Sequence, residues 1–170
     1  MPLVVLHQPE IPPNTGNVAR TCAATATPLH LIEPLGFSLE DRYLRRAGLD
    51  YWPLVDLHRH PDDQAFLNAR NARGGRLVAL SARASQCYTG FRFAPDDWLL
   101  FGRESDGLPE ELLRIADARL TIPMPRSSRR IEGGVRSLNL SVAVGVVLFE
   151  ALRQLALAAA GESGSSGSMV

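Results

Sequence analysis

The sequence contains no lysine, and all 18 of its basic residues are arginines. This absence excludes a P-loop phosphate site, a pyridoxal-phosphate Schiff base and a lysine nucleophile, because each of them requires a lysine amine. The 18 acidic residues balance the arginines to a formal net charge of +0. An anionic partner would therefore have to meet a local basic patch rather than the field of the whole molecule.

Cysteine is also scarce. Cys22 and Cys87 lack CxxC spacing and are too few for a disulfide framework, which favours a reducing cytoplasm and two small buried hydrophobes. The histidines form no HExxH motif, so we expect no metal site, and we expect His58 and His60 in an exposed loop. The N-terminus lacks the basic region of a signal peptide, and polar residues interrupt the apolar stretch 138–160. We read that stretch as a buried or interfacial helix and expect no membrane partner.

Short apolar runs alternate with helical patterns along the chain, which predicts an α/β fold with a mostly parallel sheet flanked by helices. Strands are predicted at 3–7, 29–33, 54–57, 77–81, 98–102 and 120–122. Helices are predicted at 15–27 with Asn14 as the cap, and at 38–48, 62–73, 109–116 and from Asn139 onward. We expect one domain over residues 1–160 and a disordered Gly/Ser-rich tail over residues 161–170.

Polar segments follow the predicted strands, where parallel sheets bind their ligands. NTGNVAR, residues 14–20, opens a helix with a glycine-containing turn and places Arg20 about one and a half turns along it. LLFGRESDGLP, residues 99–109, contains Gly102, beside which a ligand can approach the backbone, and Glu104, a carboxylate placed to receive a cationic group. Both glycines of this segment have an alternative role in the turn alone.

A third segment combines TIPM, residues 121–124, with RSLNLS, residues 136–141. Ser137 and Asn139 stand just before an apolar helix, where side chains either cap the helix or aim donors at a ligand. The loop between the two halves carries a dense basic cluster. Its arginines suit phosphate contacts or a merely solvated loop, and charge alone leaves both readings open.

Together, NTGNVAR, LLFGRESDGLP and IPM followed by RSLNLSVAVGVVLFEAL resemble the three ordered motifs of the SPOUT class of RNA 2′-O-ribose methyltransferases. PEIPPNTGNVART, LHLIEPLGF and LRRAGLDYW further resemble the small TrmL (YibK-like) family, which methylates the ribose of the wobble nucleotide, cytidine or uridine 34, in certain tRNAs. The resemblance implies the SPOUT fold with a deep C-terminal trefoil knot and a homodimer that acts on tRNA. It also implies S-adenosyl-L-methionine as methyl donor, S-adenosyl-L-homocysteine as product and no metal.

The resemblance assigns roles to individual residues. Arg20 matches the motif arginine of the family, and because a guanidinium is a poor proton acceptor, we expect it to act as an electrostatic clamp rather than as the base. Ser137 and Asn139 are expected to orient the nucleophile. The cofactor contacts implied by the motif positions fall on Leu80, Gly102, Glu104, Ile122, Met124, Ser137 and Leu138.

RNA contacts are expected from Arg45, Arg46 and Tyr51 in LRRAGLDY, and from Arg129 and Arg136 in the basic loop. The resemblance is compatible with a related enzyme that methylates a different tRNA or rRNA ribose. A catalytically silent RNA-binding dimer is the alternative from another functional class.

The chain departs from the family pattern at two places. The connection over residues 125–136 is longer and richer in arginine than usual, and the turn RESD replaces the common Pro-Glu-Thr-Arg. The second departure leaves the role of Asp106 open.

Overall fold

In the computed structural model, which describes residues 1–38, 52–124 and 137–165, seven strands form one sheet in which every pairing is parallel. The strand order is β3-β2-β1-β6-β4-β7-β5. The strands are β1 (Leu3–His7), β2 (Leu29–Ile32), β3 (Leu57–His60), β4 (Leu77–Leu80), β5 (Gln86–Cys87), β6 (Trp98–Phe101) and β7 (Ala118–Thr121). The predicted α/β fold with a parallel sheet is confirmed.

Helices cover both faces of this sheet. They are α1 (Pro12–Ala24), α2 (Asp63–Arg73), α3 (Glu110–Ile115) and α4 (Leu140–Ser165), with short 3-10 turns at Trp52–Leu54 and Tyr88–Gly90. One core cluster joins α1 and α4 to the sheet, and a second joins α2 and α3 to its other face.

The alternation of side chains along β1 explains this two-sided core. Val4 and Leu6 belong to the cluster of α1 and α4, whereas Leu3 and Val5 belong to that of α2 and α3. All four are at most 1% exposed. Successive side chains of a strand point to opposite faces, so a strand covered on both faces must be apolar at every position.

The start of α1 differs from the prediction. The helix begins at Pro12 rather than at residue 15, and Ile11 precedes it without a side-chain cap hydrogen bond. Two prolines suit the first positions of a helix because the N–H groups that they lack have no intrahelical acceptor there. Asn14 is therefore not the cap, and its buried side chain makes the long-range contacts described below.

The predicted strand over 54–57 is wrong. Trp52–Leu54 is a 3-10 turn, and β3 occupies Leu57–His60 at the edge of the sheet. The expectation of an exposed loop for His58 and His60 is wrong as well, since both lie on β3 and His60 is buried. Three of the four residues of β3 are polar, so a search for apolar runs does not find this strand.

The remaining differences are local. Cys22 is buried as expected, and burial raises the pKa of its thiol to about 12, whereas Cys87 on β5 is partly exposed. The backbone of α4 is helical to Ser165, beyond residue 161 where the disordered tail was expected to begin. The predicted helix 38–48 and the rest of that tail, 166–170, lie outside the described residues.

The trefoil knot implied by the family resemblance stays a prediction. Whether a chain is knotted depends on the path of every connection, and residues 125–136, which join β7 to α4, lie outside the described residues.

By length and composition alone, the stretch Leu140–Gly161 of α4 is apolar enough to cross a membrane. The core helix of a soluble protein passes the same test. Here Val144, Val147 and Leu148 are fully buried against the sheet, which accounts for part of the apolar character of α4.

The turn after β6 requires glycine at its base. Arg103 and Gly107 exchange two backbone hydrogen bonds of 3.0 and 3.1 Å, which close the turn back on Gly102. A Cβ atom on Gly102 would lie 2.2 Å from the carbonyl carbon of Gly107 and 2.4 Å from the amide nitrogen of Leu108. The absence of a side chain at Gly102 thus allows the backbone of Gly107 and Leu108 to pack against it.

Histidine rings form a stack on the α2 face of the sheet. His30 lies parallel to His58 at 4.4 Å between ring centroids, and its Nδ1 is 2.9 Å from Nε2 of His60. Trp98 packs edge-on against His30 at 4.8 Å. Burial, together with the neighbouring imidazoles His58 and His60, lowers the pKa of His30 to about 3.

We predict that Gly102→Ala lowers the free energy of unfolding by about 2 kcal/mol or more, because the new methyl group displaces backbone rather than a flexible side chain. Gly145→Ala is the matched control, since a Cβ there meets nothing within 4 Å. Urea denaturation of both variants measures the difference. Equal midpoints for Gly102→Ala and wild type would contradict the prediction.

Stability should also fall in mild acid. His30 stays neutral in the folded state down to a pKa of about 3, whereas an unfolded imidazole binds a proton below 6.5, so protons favour the unfolded chain between these values. The free energy of unfolding is expected to decrease by about 2 kcal/mol from pH 6.5 to about pH 5. Urea unfolding at both pH values tests this, with a smaller slope expected in His30→Phe. The buried His7 and His60, whose pKa values burial also lowers, contribute to the slope that remains. An unchanged slope in His30→Phe would contradict the prediction.

Candidate active site

The sheet brings three of the predicted cofactor residues to adjacent strand ends. Strands β4, β6 and β7 are neighbours, and Leu80 pairs in register with Phe101 on one side and Leu120 on the other. Gly102 is the first residue after β6, and Ile122 is the first residue after β7. The three residues therefore lie side by side at the carboxyl edge, where parallel sheets bind ligands.

This edge carries a partly open apolar rim. The side chains of Leu80, Ile122, Met124 and Leu138 are half-buried, in contrast to the fully buried strands that lead to the edge. Leu80 and Ile122 pack against the core cluster of α1 and α4. Apolar side chains beside strand-end backbone fit a flat heteroaromatic ring such as adenine.

The carboxylate of Glu104 is directed at the start of α1. It accepts hydrogen bonds from the backbone N–H groups of Glu10 at 2.8 Å and Ile11 at 3.3 Å, and from Nδ2 of Asn14 at 3.0 Å. A negative charge at the N-terminus of a helix satisfies free N–H groups and interacts favourably with the helix dipole. Glu104 thus anchors α1, and its expected contact with the cofactor stays a prediction.

Asn14, which donates to Glu104, also contacts the start of α4. Its Oδ1 accepts a hydrogen bond of 2.9 Å from Nδ2 of Asn139, a residue 125 positions later in the chain. Oδ1 of Asn139 accepts in turn from the backbone N–H and the hydroxyl of Ser141, at 2.9 and 2.8 Å. Asn139 therefore caps α4, which is one of the two roles considered from sequence, and it contacts α1 at the same time.

Arg20 lies on the helix that these contacts anchor. Its side chain is exposed, while Val18, Ala19 and Cys22 pack against α4 in the core. Ser137 is exposed as well, two residues before Asn139. The hydrogen-bond chain from Glu104 through Asn14 to Asn139 therefore joins the segments that carry the predicted catalytic residues.

Asp106 has a structural role in the turn. It forms a bidentate ion pair with Arg103, and hydrogen bonding to that guanidinium lowers the pKa of the carboxyl. The ion pair spans the turn that Gly102 makes possible.

Sequence reasoning missed Glu10, Ser105 and the long-range role of Asn14. Glu10 accepts hydrogen bonds from the backbone N–H and the hydroxyl of Ser105, both at 3.0 Å. A carboxylate three residues after a strand end was a usable signal, but its partner 95 residues away was not visible in the sequence.

The predicted RNA-contact residues Arg45, Arg46, Tyr51, Arg129 and Arg136 lie outside the described residues. Within the described part of the chain, no group of three or more His, Cys, Asp or Glu residues is placed to hold a metal ion.

A polar groove of about 590 Å³ lies beside the candidate site, along the β5 edge of the sheet, and includes none of the predicted cofactor residues. Its lining combines Arg83 and Arg119 with Glu110 and Asp117. Asp117 is already engaged by Arg70 and by the backbone N–H of Leu77.

Comparisons with known proteins find relatives and solved structures that match most of the chain. A putative tRNA (cytidine(34)-2′-O)-methyltransferase from Synechocystis sp. is 50% identical over 152 residues, which cover 89% of this chain and 95% of that protein. A solved structure concerned with the 2-OH methylation of C/U34 on tRNA has a TM-score of 0.82 at 57% identity, covering 92% of this chain and 97% of its own. An AdoMet-bound rRNA methyltransferase from Sinorhizobium meliloti has a TM-score of 0.79 at 29% identity, covering 91% of this chain and 56% of its own.

The family assignment rests on most of the chain. Residues 1–149 match the model of the SpoU rRNA Methylase family, and they include every strand, α1 and the first residues of α4 in the described structure. The chain therefore belongs to the SpoU rRNA methylase family and is a methyltransferase.

Proposed function

We propose that this chain transfers a methyl group from S-adenosyl-L-methionine to the ribose 2′-oxygen of the wobble nucleotide, cytidine or uridine 34, of tRNA. The names of its relatives support the reaction and the position. The observation that carries the proposal is the hydrogen-bond chain Glu104–Asn14–Asn139, which holds the three motif segments together at the carboxyl edge of the sheet. Bacterial tRNA modification would place the protein in the cytoplasm.

The cofactor residues are proposed on the chemistry of the edge, and the AdoMet-bound relative supports their use. The half-buried side chains of Leu80, Ile122, Met124 and Leu138 would enclose the adenine ring, and backbone groups near Gly102 and Ser137 would read its polar edge. When bound, S-adenosyl-L-methionine supplies an electrophilic methyl group on its sulfonium sulfur. We propose in addition that this chain forms the trefoil knot of the family.

Arg20 is proposed to stabilise the negative charge that develops on the attacking 2′-oxygen. A guanidinium presents several N–H donors in a planar fork, which allows it to hold the oxygen and an adjacent phosphate together. The anchoring of α1 by Glu104 fixes the backbone that carries this side chain. Positioning of this kind contributes to the rate only if the geometry is held before the reaction.

Asn139 and Ser137 are proposed to orient the nucleophile. The side-chain oxygen of Asn139 already accepts two hydrogen bonds from Ser141, and its amide donates one to Asn14. A carboxamide nitrogen carries two protons, and among the described residues the contact with Asn14 uses one of them, so we assign the other N–H to the substrate. The exposed hydroxyl of Ser137 supplies a second group at the same helix start.

The tRNA surface is proposed to include Arg45, Arg46, Tyr51, Arg129 and Arg136. Their guanidinium groups suit phosphate contacts, which would supply most of the affinity and its salt dependence.

A homodimer is proposed through the outer face of α4. Val142 and Phe149 are 50% and 58% exposed, and with the half-buried Val146 they form an apolar stripe at helical spacing. The opposite face of the same helix is buried in the core, so the stripe is apolar surface in excess of what folding requires. A second copy of the chain would cover it.

Methyl transfer tests the activity. Purified protein is incubated with labelled S-adenosyl-L-methionine and tRNA from a strain that lacks the corresponding activity, and methylated nucleotides are mapped by mass spectrometry. We expect a 2′-O-methyl group at position 34, with a loss of about 100-fold or more in Arg20→Ala because the charge on the oxygen is no longer stabilised. Arg20→Lys should also be impaired, since an ammonium lacks the planar fork.

Arg114→Ala is the matched control, because it removes an exposed arginine from α3. Methylation at another nucleotide would retain the family and replace the substrate. Cofactor binding without methylation of any RNA would favour a silent RNA-binding dimer and contradict the proposed activity.

For the dimer, Phe149→Glu should convert a species of twice the chain mass of 18.5 kDa into the single chain, because it places a charge in the apolar stripe. Light scattering coupled to gel filtration measures both masses. Ile115→Glu, which alters another exposed apolar residue, on α3, should leave the mass unchanged. A monomeric wild-type chain would refute the dimer.

A further inference from the structure

Two carboxylates cross between the loop before α1 and the turn Arg103–Gly107. Glu104, in the turn, receives the backbone N–H groups of the loop, as described above. Glu10, in the loop, points the other way, and its Oε2 and Oε1 accept the N–H and the hydroxyl of Ser105 at 3.0 Å each. We call these reciprocal contacts of Glu10 with Ser105 and of Glu104 with the loop the carboxylate clamp.

The backbone of Glu10 is also held from behind. A Cβ atom on Gly36, which follows β2, would lie 2.8 Å from Cα of Glu10 and 3.0 Å from its carbonyl oxygen. The N–H of Gly36 donates a hydrogen bond of 3.0 Å to the carbonyl oxygen of Pro9. The backbone of Glu10 therefore packs closely against Gly36 on one side, while its side chain reaches the turn on the other, so Glu10 joins Glu104 in fixing the distance between loop and turn.

We infer that Glu10 is a positioning residue for methyl transfer, which acts through Ser105 to fix the turn that presents Glu104 and thereby the helix that carries Arg20. This inference rests on the proposed function, since it concerns the same site. Glu10 itself is not assigned a contact with substrate or cofactor.

The hydrogen-bonding groups of Glu10 and Ser105 determine which substitutions break the clamp. A carboxylate only accepts, so it takes both the N–H and the O–H of Ser105, and alanine at position 10 removes both contacts. Ser105 also lies within 3.3 Å of Asp106, which leaves its hydroxyl a second acceptor when Glu10 is lost. Threonine at position 105 keeps the hydroxyl, whereas alanine removes it, so this pair separates the hydrogen bond from the bulk of the side chain.

Both partners of the clamp are partly exposed, so water replaces the lost hydrogen bonds at little cost in stability. The effect should appear in the geometry of the site instead, because misplacement of a catalytic group by a fraction of an ångström lowers the rate strongly.

The test compares single-turnover methyl transfer to tRNA at saturating S-adenosyl-L-methionine with the dissociation constant of that cofactor measured by calorimetry. The variants are Glu10→Ala, Ser105→Ala, Ser105→Thr and the double alanine variant, with Glu111→Ala on α3 as the control for loss of an exposed carboxylate. We expect Glu10→Ala to lower the rate about tenfold while the dissociation constant changes less than about threefold. Ser105→Thr should keep the wild-type rate, and the double variant should be no slower than Glu10→Ala, because both residues act through one contact.

A wild-type rate in Glu10→Ala, or losses that multiply in the double variant, would overturn the inference. An inactive wild-type chain would refute the proposed function instead. Amide hydrogen exchange of the peptide spanning residues 8–20, measured on the same samples, then tests the carboxylate clamp without an activity assay. The inference requires faster exchange of this peptide in Glu10→Ala and Ser105→Ala than in wild type. Equal exchange rates would overturn it.

Discussion

The carboxylate of Glu104 is the contact on which the site depends, because it is the point where the turn after β6 meets the start of α1. Three N–H donors converge on it from a segment about 90 residues earlier in the chain. Hydrogen bonds to a charged acceptor are typically worth about 1.5–3 kcal/mol each, and a half-buried carboxylate is screened less than one in open water. Loss of this one group would leave the first turn of α1 without an anion at its N-terminus.

The sheet and the hydrogen-bond chain position different parts of the candidate site. Parallel pairing places Leu80, Gly102 and Ile122 at one edge through the backbone hydrogen bonds and the register of the strands. The helices need more, since packing of Val18 and Val144 in the core fixes their faces but leaves their ends free to shift along the axis. Asn14 and Asn139 remove that freedom by joining the two helix starts directly.

Periodicity predicts this fold to the extent that burial determines the residue types. The apolar runs at β1, β4 and β6 are buried on both faces and were located to within a residue or two. Edge strand β3 was misplaced because half of its side chains meet solvent or other histidines, and β5 is too short to carry a pattern.

The candidate site likewise has one part that the sequence predicts and one part that it does not. Strand ends follow from the strands, so the edge that we propose for the cofactor could be located from the sequence. Asn14 was read as a cap because local spacing is all that a sequence displays, whereas its acceptor and donor partners lie 90 and 125 positions away. Contacts of that range depend on the packed fold and have no local signature.

The position of β1 in the interior of the sheet has a consequence during synthesis. Its partners are β2, which follows within 30 residues, and β6, whose residues Trp98–Phe101 leave the ribosome only after more than half of the chain. Until then, one edge of a strand with four consecutive apolar residues, Leu3–Leu6, has no native partner, and unpaired apolar edges are prone to pair with other chains. The interval between the emergence of Leu3–His7 and that of β6 is thus the period in which the nascent protein is most exposed to aggregation.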